Sequence, residues 1–235
     1  MHMRKLPPSW LGLCSLVFYA APYPCAAATL NAVSRSDLCV TEGSLEAAPD
    51  RKLSVKVPKL RAYVNQSSAQ TAEIRFTYLG ATTNEARLGS GESRRQVGLK
   101  LRAEDACNLV YVMWRIEPQS RLVVSVKRNP GQHSSADCGN RGYQNLKPRY
   151  SAPIPTLAPG QSHRLRATMQ GDELTAAIDD RPVWQGALGP PAVGLDGPAG
   201  VRSDNAQLLF ELAVDAIPRS AAAAPACRSG PQESE

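Results

Sequence analysis

The sequence predicts an all-β protein, an antiparallel sandwich, and three observations predict it. Apolar and polar residues alternate with a period of two in a series of short runs, which is how a strand buries one face and wets the other. Glycine and proline, 17 and 19 of the 235 residues, punctuate those runs, and no long amphipathic helix pattern interrupts them. The 43% hydrophobic content is enough to bury one sizeable core.

The runs follow in order. Residues 51–57 alternate and Pro58 ends them. Residues 73–79 put Ile74, Phe76 and Tyr78 on one parity. Residues 96–103 put Val97, Leu99 and Leu101 on one face and Lys100 and Arg102 on the other. Residues 108–117 form the strongest strand, with Val110, Val112, Trp114 and Ile116 together. A turn at Pro118 leads to residues 121–128, and Asn129-Pro130-Gly131 marks another turn. Residues 129–160 read as a long, strand-poor connection, a length that function or cross-linking usually explains. Residues 163–170, 174–179 and 182–185 read as three short strands with Gly171-Asp172 and Asp179-Asp180 as turns. Residues 194–202 are turn-rich, and 208–214 close the sheet.

Residues 1–28 have the features of an export signal. Arg4 and Lys5 precede an apolar stretch from Trp10 to Ala21, and Ala26-Ala27-Ala28 offers small residues for cleavage. The expected organisation is a signal peptide over 1–28, one sandwich domain over 29–218 and a flexible tail over 219–235. No membrane span is expected once the signal is gone, and the expected location is secreted, periplasmic or cell-envelope. Loss of Arg4 and Lys5 lowers the formal charge from +6 to +4, too small an excess to indicate nucleic-acid binding. Four cysteines then remain, Cys39, Cys107, Cys138 and Cys227. An even number in an exported chain implies two disulfides. Of three connectivities, Cys107–Cys138 makes a local clip and Cys39–Cys227 ties the two ends.

Residues 163–171, Leu174-Thr-Ala-Ala-Ile-Asp179, Val183-Trp184, Gly200 to Asn205 and Leu208 to Val214 stand in a telling order. They resemble the end of the concanavalin A-like jelly-roll superfamily, in particular laminin-G-like and 3-keto-disaccharide hydrolase-like domains. The resemblance covers about residues 95–216. It departs from the pattern where Asp179 is followed by Asp180-Arg181 rather than glycine. It implies a jelly-roll sandwich and, within that superfamily, lectins, glycan-binding modules, glycosidases, lyases or structural sandwiches.

No catalytic constellation stands out. A retaining glycosidase needs two carboxylates about 5 Å apart. Glu104-Asp105 would point to opposite faces of a strand, and Glu211 with Asp215 reads as two solvated acids. The region after residue 28 holds two histidines, His133 and His163, and neither sits in a nucleophile motif. Asp179-Asp180 and Asp204-Asn205 are oxygen-rich turns of the kind calcium uses, but turns favour these residues for backbone reasons alone. The expectation is no catalytic residue and no metal or other cofactor, with calcium the ion to test.

One surface carries a functional expectation. If the apolar parities above face the core, Lys100, Arg102, Tyr111, Met113, Arg115, Ser125 and Lys127 share the opposite face. Four of these are cations and one is an aromatic ring. Lys100, Arg102, Tyr111, Arg115 and Lys127 are therefore the candidate ligand-binding residues, cations for carboxylate or sulfate and the ring for a sugar. Tyr143 has two equal places open to it, the rim of the groove or a packing position on the disulfide. The expected function is a secreted, non-catalytic carbohydrate-binding or surface-associated protein with an acidic glycan as partner. The alternatives are a glycan-active hydrolase of the 3-keto-disaccharide type and a structural envelope protein.

Overall fold

The computed structural model describes residues 29–65 and 68–215; the expected signal, the tail and Cys227 lie outside the described residues. Sixteen strands form two antiparallel sheets. In chain order they are β1 (Asn31–Val33), β2 (Leu38–Glu42), β3 (Glu46–Ala47), β4 (Leu53–Val55), β5 (Lys59–Val64), β6 (Thr71–Ala81), β7 (Arg95–Leu101) and β8 (Leu109–Glu117). Then follow β9 (Arg121–Lys127), β10 (Tyr143–Asn145), β11 (Tyr150–Ser151), β12 (Ser162–Gln170), β13 (Glu173–Ile178), β14 (Arg181–Ala187), β15 (Gly200–Asp204) and β16 (Ala206–Val214). The first sheet runs β11-β14-β13-β12-β6-β16-β4-β3, with β1 also on β16; the second runs β10-β9-β8-β7-β15-β5-β2.

Alternation builds the core between them. Val97, Leu99, Val110, Val112, Trp114 and Ile116 from the second sheet meet Ile74, Phe76, Leu165, Leu208 and Phe210 from the first. Trp114 is fully buried and meets Phe76 edge to face at 5.7 Å, so it is a core residue and not a sugar platform. Trp184 is buried in the same core.

The turns explain two departures from simple reading. Asp179 and Asp180 both take positive φ, 48° and 66°, forming the tight turn of a hairpin in which Ile178 pairs with Arg181. Aspartate tolerates this left-handed region well enough to stand where the resemblance expects glycine. Arg102 likewise has φ 47°; it lies beyond the end of β7, and the alternation that would aim it at the Lys100 face stops there.

Three segments differ from the sequence reading. The 129–160 connection contributes a short helix (Ser135–Cys138) and the edge strand β10, which pairs Tyr143 with Lys127. The turn-rich 194–202 stretch ends in β15, inserted between β7 and β5. The 51–57 run shortens to β4, Leu53–Val55, because a 3-10 turn occupies Pro49–Arg51.

Cys107 and Cys138 form a disulfide across 31 positions. It anchors the 129–142 loop beside the end of β9. Cys39 is also disulfide-bonded. Closing a loop of this length restricts the unfolded chain, so Cys107→Ser with Cys138→Ser is expected to cost about 3 kcal/mol, read as a lower urea midpoint.

Candidate functional site

The outward face of the second sheet is a groove of about 900 Å³. Its floor is set by register. Across the strands, Tyr63, Gly200, Lys100, Tyr111, Ser125 and Asn145 lie in one row. The next row has Arg61, Arg202, Gly98, Met113 and Val123, and the one after it Lys59, Asp204, Gln96, Arg115 and Arg121. Gly98 and Gly200 are bare by necessity. A Cβ at Gly98 would meet the Val112 carbonyl oxygen at 2.1 Å, and one at Gly200 the Ala62 carbonyl oxygen at 2.2 Å. They keep the floor low on either side of the long cations.

An aromatic and apolar patch covers one end. Tyr111 and Tyr143 stack with ring centroids 5.9 Å apart and planes at 22°. The Arg202 guanidinium lies over the Tyr111 ring at 4.9 Å, and the Lys127 ammonium over Tyr143 at 5.1 Å. Arg202 also donates to the Tyr143 hydroxyl at 3.2 Å. Ala103, Leu109, Tyr111 and Met113 form a small apolar cluster there, separate from the main core.

The charges are unevenly compensated. Asp204 is fully buried and accepts from Arg61 at 2.6 Å, Arg202 at 2.9 Å and Gln96 at 2.6 Å. Burial alone would raise its carboxyl, but Arg202 and Arg61 outweigh that and hold it well below the usual carboxylate range. Lys100 is 5% exposed, and its ammonium has no hydrogen bond or ion pair among the described residues. Burial, followed by Arg61 and Arg202, lowers it to about 7. Arg115 is lowered to about 10, by burial and then by Arg94, Arg121 and Arg202.

The groove brings together four of the five expected binding residues, Lys100, Tyr111, Arg115 and Lys127. Their roles differ. The Lys127 ammonium is spent on the Ala106 and Gly139 carbonyls at 3.2 and 2.8 Å, so it ties the disulfide loop to the sheet. Arg102 is outside the groove, and its guanidinium donates to the Gly171 carbonyl of the β12–β13 turn at 2.7 Å. Sequence reading does not expect Arg61 and Arg202 at the groove, it takes Asp204 as part of an oxygen-rich turn, and Tyr143 has a more central place than a rim position. Leu60, Ala62 and Val64 alternate in β5, a signal that could have found Arg61.

The other candidates are engaged structurally. His133 Nδ1 lies 2.7 Å from Asp105 Oδ2, and His163 Nδ1 2.7 Å from Asp179 Oδ2. Asp215 accepts the Gln70 and Thr71 backbone N–H groups, both at 2.9 Å. Glu42, which lines the groove, and the fully buried Asp204 are both paired with Arg61. No group of three or more His, Cys, Asp or Glu side chains suited to a metal ion occurs among the described residues. Asp179 and Asp204, from the two expected calcium turns, are already occupied by His163 and by arginines. No described helix is long and apolar enough to cross a membrane.

No known protein family matches the sequence, and no curated protein is significantly similar to it. Solved structures are similar. The carbohydrate-binding module CBM66 from Bacillus subtilis aligns with a TM-score of 0.51 at 16% identity, covering 74% of this chain and 91% of the module. The metal-free Emp46p carbohydrate recognition domain aligns at 0.49 with 11% identity, covering 77% and 89%. A Bacillus subtilis protein of unknown function with a galectin-like fold aligns at 0.48 with 12% identity, covering 78% and 91%. At these identities the likeness is one of fold. Two antiparallel sheets packed face to face, with the first of these likenesses, make the fold an antiparallel β-sandwich of the kind that module has.

Proposed function

We propose that this is an exported, non-catalytic carbohydrate-binding protein that takes an acidic glycan in the groove of the second sheet. The observation that carries the reading is the floor itself: the Tyr111–Tyr143 stack beside Lys100, a buried amine with no partner among the described residues. The exposed part of Tyr143, backed by the buried Tyr111, suits the apolar face of a sugar ring, and an unpaired buried cation favours an anionic substituent over a neutral one. The carbohydrate-binding neighbour of the same fold supports the same reading. Export is supported by the composition of residues 1–28 and by the Cys107–Cys138 disulfide. A non-catalytic role is supported by the groove's glutamates, since Glu42, Glu92 and Glu104 are each paired with an arginine.

The test is a glycan array probed with the purified, oxidised protein at low and moderate salt. Retention on uronate-bearing or sulfated glycans is expected, weakened only in part by salt because sugar contacts remain. Tyr143→Ala, at an exposed edge strand, should weaken that binding about tenfold while leaving the fold intact. Uniform failure to bind acidic glycans would remove the reading and favour a structural role.

A further inference from the structure

Beyond Lys100 and the tyrosines, the groove has a second charged region with a different composition. Arg115 of β8 pairs directly across the ladder with Arg121 of β9, and with Gln96 of β7 on its other side. Directly opposed residues share a face, so the two guanidinium-bearing chains project together. Like charges directly opposite each other destabilise the pair. Arg94, just before β7, adds a third cation close enough to repel Arg115. Acid compensation is thin: Arg94 pairs with the exposed Glu92, while Arg115 and Arg121 have no ion pair or hydrogen bond among the described residues. The Arg115 Nε is buried and lacks a partner. An arginine Nε–H removed from water with nothing to accept it carries an uncompensated desolvation cost.

The position of Arg115 adds a second argument. The groove of about 900 Å³ and an adjoining cavity of about 400 Å³ share Arg115, Val123 and Asn145 as lining. A group bound at Arg115 therefore sits where the two spaces meet, within reach of solvent-borne ligand from both.

We propose that Arg94, Arg115 and Arg121 form a subsite for a sulfate ester, placed at the junction of the groove and the adjoining cavity. The proposal rests on the glycan-binding reading of the same groove and names the substituent it selects. One guanidinium fork already satisfies the two coplanar oxygens of a carboxylate. Three guanidinium groups contributed by three separate segments suit a tetrahedral group with three terminal oxygens. Binding there would supply an acceptor to the Arg115 and Arg121 guanidinium groups, which have none among the described residues, and offset the mutual repulsion of the three side chains.

The experiment has two arms. In the first, inorganic sulfate is titrated into the protein while the arginine Nε–H signals are followed by NMR. The Arg115 signal should shift saturably with sulfate and not with acetate at the same ionic strength. In the second, a sulfated oligouronate and its desulfated counterpart are compared. The sulfated one should bind about tenfold more tightly, a preference that Arg115→Lys and Arg121→Gln each reduce to within about threefold, with Arg121→Gln leaving binding of the desulfated one unchanged. Arg121 is exposed, so its substitution does not endanger the fold. An unshifted Arg115 signal, or a sulfate preference that survives both substitutions, would overturn the subsite. A shifted signal with no binding of either oligosaccharide would keep the subsite and remove the glycan reading.

Discussion

Asp204→Ala is expected to cost about 3–5 kcal/mol of stability, the largest effect of any single substitution on this face. The carboxylate is fully buried and is the common acceptor for Arg61, Arg202 and Gln96. Removing it leaves two guanidinium groups close together in a site where water cannot replace it. The same physics sets an acid limit. Its carboxyl is held below the ordinary value, so its contribution is complete above the unfolded value near 4 and is lost as pH falls below it. Urea unfolding of the variant at neutral pH checks the magnitude. A loss under about 1 kcal/mol would mean that Arg61 and Arg202 find other partners. Asp204→Leu combined with Arg202→Met should recover part of the loss, since apolar pairs of similar volume often replace buried ion pairs.

Lys100→Met should act in the opposite direction. The folded protein holds this amine at about 7, whereas the unfolded chain holds it near 10.4. Below pH 7 both states carry the proton, and the folded state bears the full cost of a buried, unpartnered charge. Between pH 7 and about 10.4 the unfolded state binds more protons, so stability rises with pH, by at most about 1.4 kcal/mol per unit. Relative to Lys100→Met, the wild-type protein should gain roughly 2 kcal/mol between pH 7 and pH 9. Urea midpoints at the two pH values measure it, and a flat difference would mean that Lys100 is not held neutral. The groups that set its state are Arg61, Arg202 and Lys127, which oppose the charge, and Glu42, which favours it. An anionic ligand adds to the Glu42 side. Its binding at pH 8 should therefore take up a proton and weaken as pH rises, both absent in Lys100→Met.

How much of this was legible in the sequence depends on the strand. β7, β8 and β9 alternate cleanly, so period two alone assigns Val97, Leu99, Val110, Val112 and Trp114 to the core and Lys100, Tyr111 and Arg115 to the opposite face. Extending that parity by one more step to Arg102 fails, because a left-handed residue turns the chain away. β15 hides for a different reason. The resemblance places Gly200 to Asn205 as a strand, but Val201 is the one apolar side chain among the five residues of β15, so period two gives no signal for it. Arg202 and Asp204 are visible in that run and in an oxygen-rich turn, but their electrostatic role needed the pairing of β15 with β5 and β7. Tyr143 lies in a three-residue edge strand, too short for any periodic signal, and its place comes from pairing with β9. The Cys107–Cys138 clip was readable from spacing and compartment. Its role beside Lys127 needed the fold, because the Gly139 carbonyl that Lys127 holds lies in the anchored loop.

The most direct test of the glycan groove is NMR chemical-shift mapping with a sulfated oligouronate. The account predicts saturable shifts concentrated on Lys100, Tyr111, Tyr143, Arg115 and Arg202, with the outer face of the first sheet, around Glu73 and its partners Arg75 and Arg166, left unchanged. Shifts centred on that outer face, or none at all, would contradict it.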